Sequence, residues 1–243
     1  MKHTVYVVGL GPGGLSGMTI EAKEILSQCD CIIGYTTYIQ LIKEYFTPNE
    51  WLSTGMKKEV DRCKLAVDEA RKGKTVAMVS SGDAGIYGMA GIMYEVAAPY
   101  DDVEITVIPG VTAASSGAAR LGAPIVTDCC LISLSDLLTP WETIAKRLDC
   151  AAAGDFVICL YNPSSKKRAD YAAKASGIIL RHQRPDTPVG IVRQIGRDGE
   201  ATELTTLADL GTKSLDMFTT VIIGNSQTKV IGHHLVTPRG YHL

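Results

Sequence analysis

No apolar run in this sequence of 243 residues approaches the roughly 20 residues that a bilayer-spanning helix needs, which excludes a helical membrane protein. The chain begins in a strand pattern without the organisation of a signal peptide, so a cytoplasmic location is expected. Neither sign of charge is in excess: 24 Lys and Arg stand against 26 Asp and Glu, a formal net charge of −2 that leaves no general pull toward nucleic acid. Any anionic ligand must be held by local basic groups. Cys-x-x-Cys pairs are missing and the five histidines form no obvious ligand pair, so no metal site is expected. The seven cysteines, Cys29, Cys31, Cys63, Cys129, Cys130, Cys150 and Cys159, are odd in number and several lie in apolar runs, and they read as reduced, buried thiols. Aromatics are few, whereas 24 glycines and abundant aliphatic and small residues suit β-α alternation with many tight turns.

The most informative stretch is 3–19, in which a strand runs into a glycine-rich loop and then a helix start. Gly9-x-Gly11-x-x-Gly14 matches the dinucleotide fingerprint as a pattern. That reading requires an acid roughly 20 residues on, at the end of the second strand, to hold a ribose. The second strand ends instead in Gly34-Tyr35-Thr36-Thr37. Pro12 also has no N–H to offer a pyrophosphate. A dinucleotide oxidoreductase is therefore disfavoured.

The first half alternates strands and helices. Val5 to Val8 reads as a buried strand and is followed by a helix near Thr19, whose side chain can cap it with Glu21 in the first turn. Strands are expected at 31–33, 75–79 and 103–108, with a small-residue helix at 111–120. Between Glu59 and Lys72, Val60, Cys63, Val67 and Ala70 recur at helical spacing, which turns Arg62, Asp68, Glu69 and Arg71 toward water. Gly122 and Pro124 break the pattern, so the domain boundary is expected there, giving domains 1–120 and 121–243. The second half has strand signals at 130–134, 156–161, 189–193, 219–223 and 234–237, with helices near 140–148 and 171–181. The expected fold class is α/β, two αβ domains with the active site in the cleft between them.

Four loops at strand ends carry polar groups, where open αβ sheets place ligands. They are Gly9 to Gly14; Ser81-Gly82-Asp83, with Tyr87 and Met89 beyond it; Pro109 to Ala119; and Leu160 to Arg168. The Asp83 carboxylate could accept from a ligand or simply shape a turn. The small-residue helix could pack closely or leave space for a ligand. Lys166, Lys167 and Arg168 form a solvated face or an anion site.

In this order the four loops resemble the tetrapyrrole (uroporphyrinogen/precorrin) methylase family, with its Gly-x-Gly-Pro-Gly opening, Gly-Asp loop and Pro-Gly-x-Thr-Ala helix start, over essentially the whole chain. Ser80 to Gly91, Ile132 to Trp141, the Leu160 to Pro163 turn and the ending Thr237-Pro238-Arg239-Gly240-Tyr241 resemble the branch that methylates C17 and contracts the macrocycle in cobalamin synthesis. The cobalt-containing variant is favoured over the metal-free, aerobic one. The rivals are a methylase of different regiospecificity and a non-catalytic tetrapyrrole carrier.

The resemblance implies S-adenosylmethionine as cofactor, a tetrapyrrole as substrate and a homodimer. It assigns the cofactor to Pro12, Ser81, Gly82, Asp83, Ile86, Thr112, Ala113, Tyr161 and Gly190, with Tyr161 standing where other members have a methionine. It makes the opening loop, Gly9, Gly11 and Gly13, a rim of the substrate trough, its glycines leaving room for a macrocycle. A substrate with several carboxylates needs cations, and Lys57, Lys58, Arg193, Arg197 and Arg239 are the candidates. Methyl transfer from a sulfonium needs orientation rather than a protein nucleophile. Ring contraction moves protons, for which Asp128, Asp136, Tyr35 and Thr36 are the candidates. Asp136 could instead cap the helix after Pro140 or orient its loop, and Tyr35 could simply line the trough.

Overall fold

The computed structural model describes residues 2–165 and 168–241 and divides into two compact units, Met1–Ala113 and Ala114–Leu243. The division falls at the start of the small-residue helix, and the expected boundary at 120/121 lies at its other end.

The first unit is a parallel sheet with helices on both faces. Its strands are β1 (His3–Gly9), β2 (Cys31–Tyr35), β3 (Glu50–Thr54), β4 (Val76–Ser80) and β5 (Val103–Ile108), in the order β3-β2-β4-β1-β5. Parallel strands covered on both faces read as continuous apolar runs, and Val5, Val7 and Val8 are fully buried. Helices α1 (Ile20–Gln28) and α2 (Thr36–Ile42) cover one face through Leu26, Ile39 and Ile42. Helices α3 (Glu59–Arg71) and α4 (Ala90–Ala97) cover the other through Cys63, Val67 and Met93. Thr19 caps α1 as expected, its hydroxyl accepting from the Ala22 N–H at 3.2 Å.

Helix α3 departs from its expected faces. Val60, in the first turn, is 46% exposed, while Arg62 is 3% and Glu69 5% exposed. Arg62 donates to Thr54 and Gly55 at the end of β3, so the first turn sits at the sheet's rim and Val60 lies beyond it. Glu69 is buried because both its oxygens are paired, with Lys72 Nζ and Lys74 Nζ at 2.6 Å each. The Lys72 and Lys74 hydrogen bonds hold its carboxyl below the usual range. A folded-state value below the unfolded one stabilises the protein above the unfolded value and loses that contribution as pH falls through the folded one. Melting temperature should therefore fall on acidification below about pH 4.5, the ordinary glutamate range. Glu69→Gln should flatten that fall and melt earlier than wild type at neutral pH, which a pH series of thermal melts checks.

The second unit is a mixed sheet of β7 (Cys129–Ser133), β8 (Val157–Tyr161), β9 (Pro188–Arg193), β10 (Ala201–Thr206) and β11 (Thr219–Ile223), in the order β10-β9-β11-β8-β7. Strands β7, β8 and β9 run in one direction, β10 and β11 in the other, so Ser133, Tyr161 and Arg193 share one edge. Helices α6 (Trp141–Ala153) and α7 (Tyr171–Ile179) cover one face through Ile144, Leu148 and Ile179. Helix α5 (Ala113–Leu121) lies on the other face. A Cβ at Gly117 would sit 3.3 Å from Ile195 and 3.7 Å from Val192, so the small residues of α5 serve close packing on the sheet. A third, small sheet joins β6 (Gly122–Ala123), β12 (Lys229–Ile231) and β13 (His234–Val236). Among the described residues no helix is long and apolar enough to cross a membrane.

Candidate functional site

In the first unit the loops after β1, β4 and β5 converge on four glycines, Gly9, Gly11, Gly82 and Gly110. Gly11 and Gly82 form an isolated bridge, each N–H donating to the other's carbonyl at 3.0 and 2.8 Å. A Cβ at Gly9 would meet Gly110 N at 2.6 Å and Gly82 O at 2.8 Å, and one at Gly110 would meet Gly82 O at 2.2 Å. A Cβ at Gly11 would meet Gly17 O at 2.2 Å. The space beside Gly9 and Gly11 is thus filled by backbone, which corrects the expectation that these glycines leave room for a macrocycle. Gly13 is buried.

Asp83 ties the same knot. Its Oδ1 accepts from the Gly85 and Ile86 N–H groups at 2.8 and 2.9 Å, and its Oδ2 accepts from the Gly110 N–H at 3.0 Å. The carboxylate therefore holds the β4 loop to the β5 loop, and its turn-forming role is the one observed. With the N–H groups of Gly11, Gly82, Gly85 and Gly110 all engaged inside the protein, these loops offer no cradle to a pyrophosphate. Around the knot Pro12, Ser81, Ile86, Thr112 and Ala113 are half-buried, as a ligand wall must be. Gly82 has φ +69°, and the nearest atoms to a Cβ there are 3.8 Å away, so the chain is open on that side. Tyr87 is 55% exposed in a left-handed conformation, φ 53°, while Met89 is buried in the core.

At the end of β2, Tyr35 packs edge-on against Tyr38 with ring centroids 5.3 Å apart. Thr36 donates its hydroxyl to the Thr54 carbonyl at 3.3 Å. Both lie at the carboxyl end of the parallel sheet, the end that carries the glycine knot. Lys57 and Lys58 follow β3 at that end; Lys57 is exposed with φ 63°, and Lys58 pairs with Asp61 at 3.0 Å.

In the second unit the Tyr161 hydroxyl accepts from the Ala114 N–H at 2.8 Å, joining β8 to the first turn of α5. Asn162, at φ 51°, donates to the Ser133 hydroxyl at 3.0 Å, so the β7 and β8 loops are tied together. Asp136 accepts from the Tyr171 hydroxyl at 2.6 Å and lies 3.8 Å from the Arg168 guanidinium. The Asp136 bond pushes the Tyr171 hydroxyl's pKa up. Pro140 occupies the N-cap position before α6 and no side chain caps that helix, so Asp136 orients its loop rather than capping the helix. Lys166 and Lys167 lie outside the described residues.

Three further candidates lie as follows. Asp128 precedes β7, and about 16 Å of strand separates it from Ser133, which removes it from the edge shared with Tyr161 and Arg193. Gly190 lies under α5, since a Cβ there would meet Leu121 Cδ1 at 2.3 Å, so its lack of a side chain serves helix packing. The Arg193 guanidinium donates to Glu203 at 3.0 Å, and Glu203 also holds Lys213 at 3.0 Å. Those bonds, Lys213 first, keep the Glu203 carboxyl low, and the charge of Arg193 is compensated within the unit. Arg197 lies over the Phe218 ring at 5.4 Å, and Arg239 is exposed.

The thiols divide by burial. Cys29, Cys31, Cys63 and Cys159 are buried, Cys130 is half-buried, and Cys129 and Cys150 are exposed, which corrects the reading of uniformly buried thiols. Burial pushes Cys29 up to about 12 and Cys31, Cys63 and Cys130 up to about 11, so these sulfurs stay protonated and unreactive. Sequence reasoning missed Arg62, whose burial no periodicity signals.

The model of the family of tetrapyrrole (corrin/porphyrin) methylases matches residues 4–211. The chain is 47% identical over 99% of its length to a protein of Priestia megaterium named cobalt-factor III methyltransferase, and spans 46% of that longer protein. It is 46% identical to a Salmonella typhimurium protein named probable cobalt-factor III C(17)-methyltransferase, covering 98% of this chain and 99% of that one. Among solved structures, the methyltransferase CobJ superposes with a TM-score of 0.91 at 34% identity, covering 98% of this chain and all of that one.

Proposed function

The chain belongs to the tetrapyrrole (corrin/porphyrin) methylases, and from that premise we propose that it transfers a methyl group from S-adenosylmethionine to C17 of a cobalt-bearing tetrapyrrole, with ring contraction, in cobalamin synthesis. The observation that carries this reading is full-length similarity, at 46% identity, to a protein named for C17 methylation of cobalt-factor III. The cobalt substrate is favoured over the metal-free one because relatives at 46–47% identity are named for cobalt-factor III. The substrate in the relatives' names is cobalt-factor III, which agrees with the cobalt-containing variant favoured by the sequence motifs.

The chemistry of the half-buried set supports the cofactor. Pro12, Ser81, Gly82, Ile86, Thr112 and Ala113 contain no basic side chain, and the nearby N–H groups are engaged within the protein. Such a wall suits an adenosyl ligand without phosphate, and S-adenosylmethionine would supply an electrophilic methyl there. Ser81 and Thr112 would orient it. Restricting the reacting atoms to near-attack geometry can supply roughly 7 to 11 kcal/mol in favourable intramolecular cases. Tyr35 and Thr36 at the sheet end are the proton-handling candidates that remain, with Asp136 holding its loop. We carry the homodimer as part of this proposal.

Calorimetric titration tests the ligand class: S-adenosylhomocysteine should bind and NAD should not. Parallel incubations with S-adenosylmethionine and cobalt-factor III, cobalt-precorrin-3 or precorrin-3B test the branch. Gain of one methyl in the metal-free incubation alone would reverse the assignment.

A further inference from the structure

The first unit holds a charge that methyl transfer does not use. Arg62 is 3% exposed. Its Nε donates to Thr54 Oγ1 at 2.9 Å, one terminal nitrogen donates to the Gly55 carbonyl at 3.1 Å, and the other lies 3.7 Å from Met89 Sδ. No carboxylate among the described residues lies within 4.0 Å of it. Glu59, the acid with the largest pull on it, stands one turn back on the exposed part of α3. Burial accordingly lowers the guanidinium's pKa. Glu69, the other buried charge of α3, is paired with two lysines, so Arg62 is the exception on its own helix. A buried cation facing hydroxyl, carbonyl and thioether partners has unmet attraction for an anion.

Ser80 is the second, independent observation. It is 2% exposed, and its Oγ has no hydrogen-bond partner among the described residues. The strand register places Ser80 in the same row as Thr54, the hydroxyl partner of Arg62. Tyr35 pairs with Thr54 on β3, and Gly34 pairs with Val79 on β4, so Thr54, Tyr35 and Ser80 form one row at the carboxyl end of the sheet. They share the face that carries Met78 and α3. The guanidinium reaches from Thr54 to Met89 across that row.

We propose that Arg62 and Ser80 form a subsite for one carboxylate side chain of the tetrapyrrole. The proposal rests on the methylation reading above. A guanidinium fork with N–H groups to spare matches a carboxylate in a bidentate geometry, and the Ser80 hydroxyl adds a third donor. Residues 55–60, tied to Arg62 through the Gly55 carbonyl, are exposed along their length. The subsite also answers a shortage, because Arg193 is compensated by Glu203 and Lys58 by Asp61.

The test is titration of wild type, Arg62→Gln, Arg62→Lys and Ser80→Ala with cobalt-factor III and, separately, with S-adenosylhomocysteine, beside thermal melts. Arg62→Gln should weaken tetrapyrrole binding about tenfold or more, from loss of hydrogen bonds to a charged group, with S-adenosylhomocysteine affinity unchanged within about twofold. Arg62→Lys should recover part of the loss. Ser80→Ala should weaken tetrapyrrole binding several-fold with melting temperature unchanged or raised, since it removes a buried hydroxyl without a partner. Unchanged tetrapyrrole affinity in Arg62→Gln and Ser80→Ala overturns the subsite, as does equal loss of both ligands, which marks a purely structural arginine. Should Arg62→Gln not fold, Ser80→Ala and Arg62→Lys decide. Wild type that binds S-adenosylhomocysteine but no tetrapyrrole would remove the methylation reading and the subsite with it.

Discussion

Gly110→Ala should be among the most damaging single-methyl additions in this chain. The new Cβ would lie 2.2 Å from the Gly82 carbonyl oxygen and 2.7 Å from the backbone of Gly9, and neither neighbour is a side chain that can swing away. Relief requires separating the loops after β1, β4 and β5, which breaks the Gly11–Gly82 bridge and the Asp83 bond to the Gly110 N–H. Overpacking of a rigid site costs typically 1–3 kcal/mol, and the lost hydrogen bonds add to it, so a loss of about 3 kcal/mol or more is expected. S-adenosylhomocysteine binding should fall with it. Gly91→Ala is the control: nothing lies within 4 Å of a Cβ there and the residue is in α4, so it should stabilise by about 0.5–1 kcal/mol. Chemical denaturation of both variants checks the pair, and similar stability for the two would contradict the knot.

Asp83→Ala should have the second-largest effect. Three backbone N–H groups lose a charged acceptor at once, and water can replace only part of it because the loop is half-buried. A loss of about 2–4 kcal/mol is expected, with S-adenosylhomocysteine affinity reduced at least tenfold as residues 81–86 lose their shape. Asp83→Asn keeps one acceptor oxygen and should fall between Ala and wild type. If both variants keep wild-type stability yet lose the ligand, the carboxylate touches the ligand itself.

Strand positions of the first sheet were legible because parallel strands buried on both faces must be continuously apolar, as Val5 to Val8 and Val76 to Val79 are. The start of α1 was legible from one hydroxyl and one carboxylate. The edge strands β3 and β10 were not, being half polar, and α4 begins inside a motif that reads as loop. The burial of Arg62 and Glu69 was illegible for a general reason: periodicity assigns charge to solvent, and only the partners Thr54, Gly55, Lys72 and Lys74 reveal otherwise. The glycines show the sharpest limit. A glycine that makes room for a ligand and one that makes room for another backbone look alike in sequence, and Gly9 and Gly11 are of the second kind, while Gly190 makes room for the Leu121 side chain. Asp128 failed differently, since adjacency to a signature strand does not say at which end of the sheet a residue lies.

Transfer of a carbon-13 methyl group from labelled S-adenosylmethionine to cobalt-factor III, followed by nuclear magnetic resonance of the product, tests the central claim most directly. The account predicts one labelled methyl, bonded to C17 of a contracted macrocycle. Label at any other ring carbon, or none in any tetrapyrrole product, would contradict it.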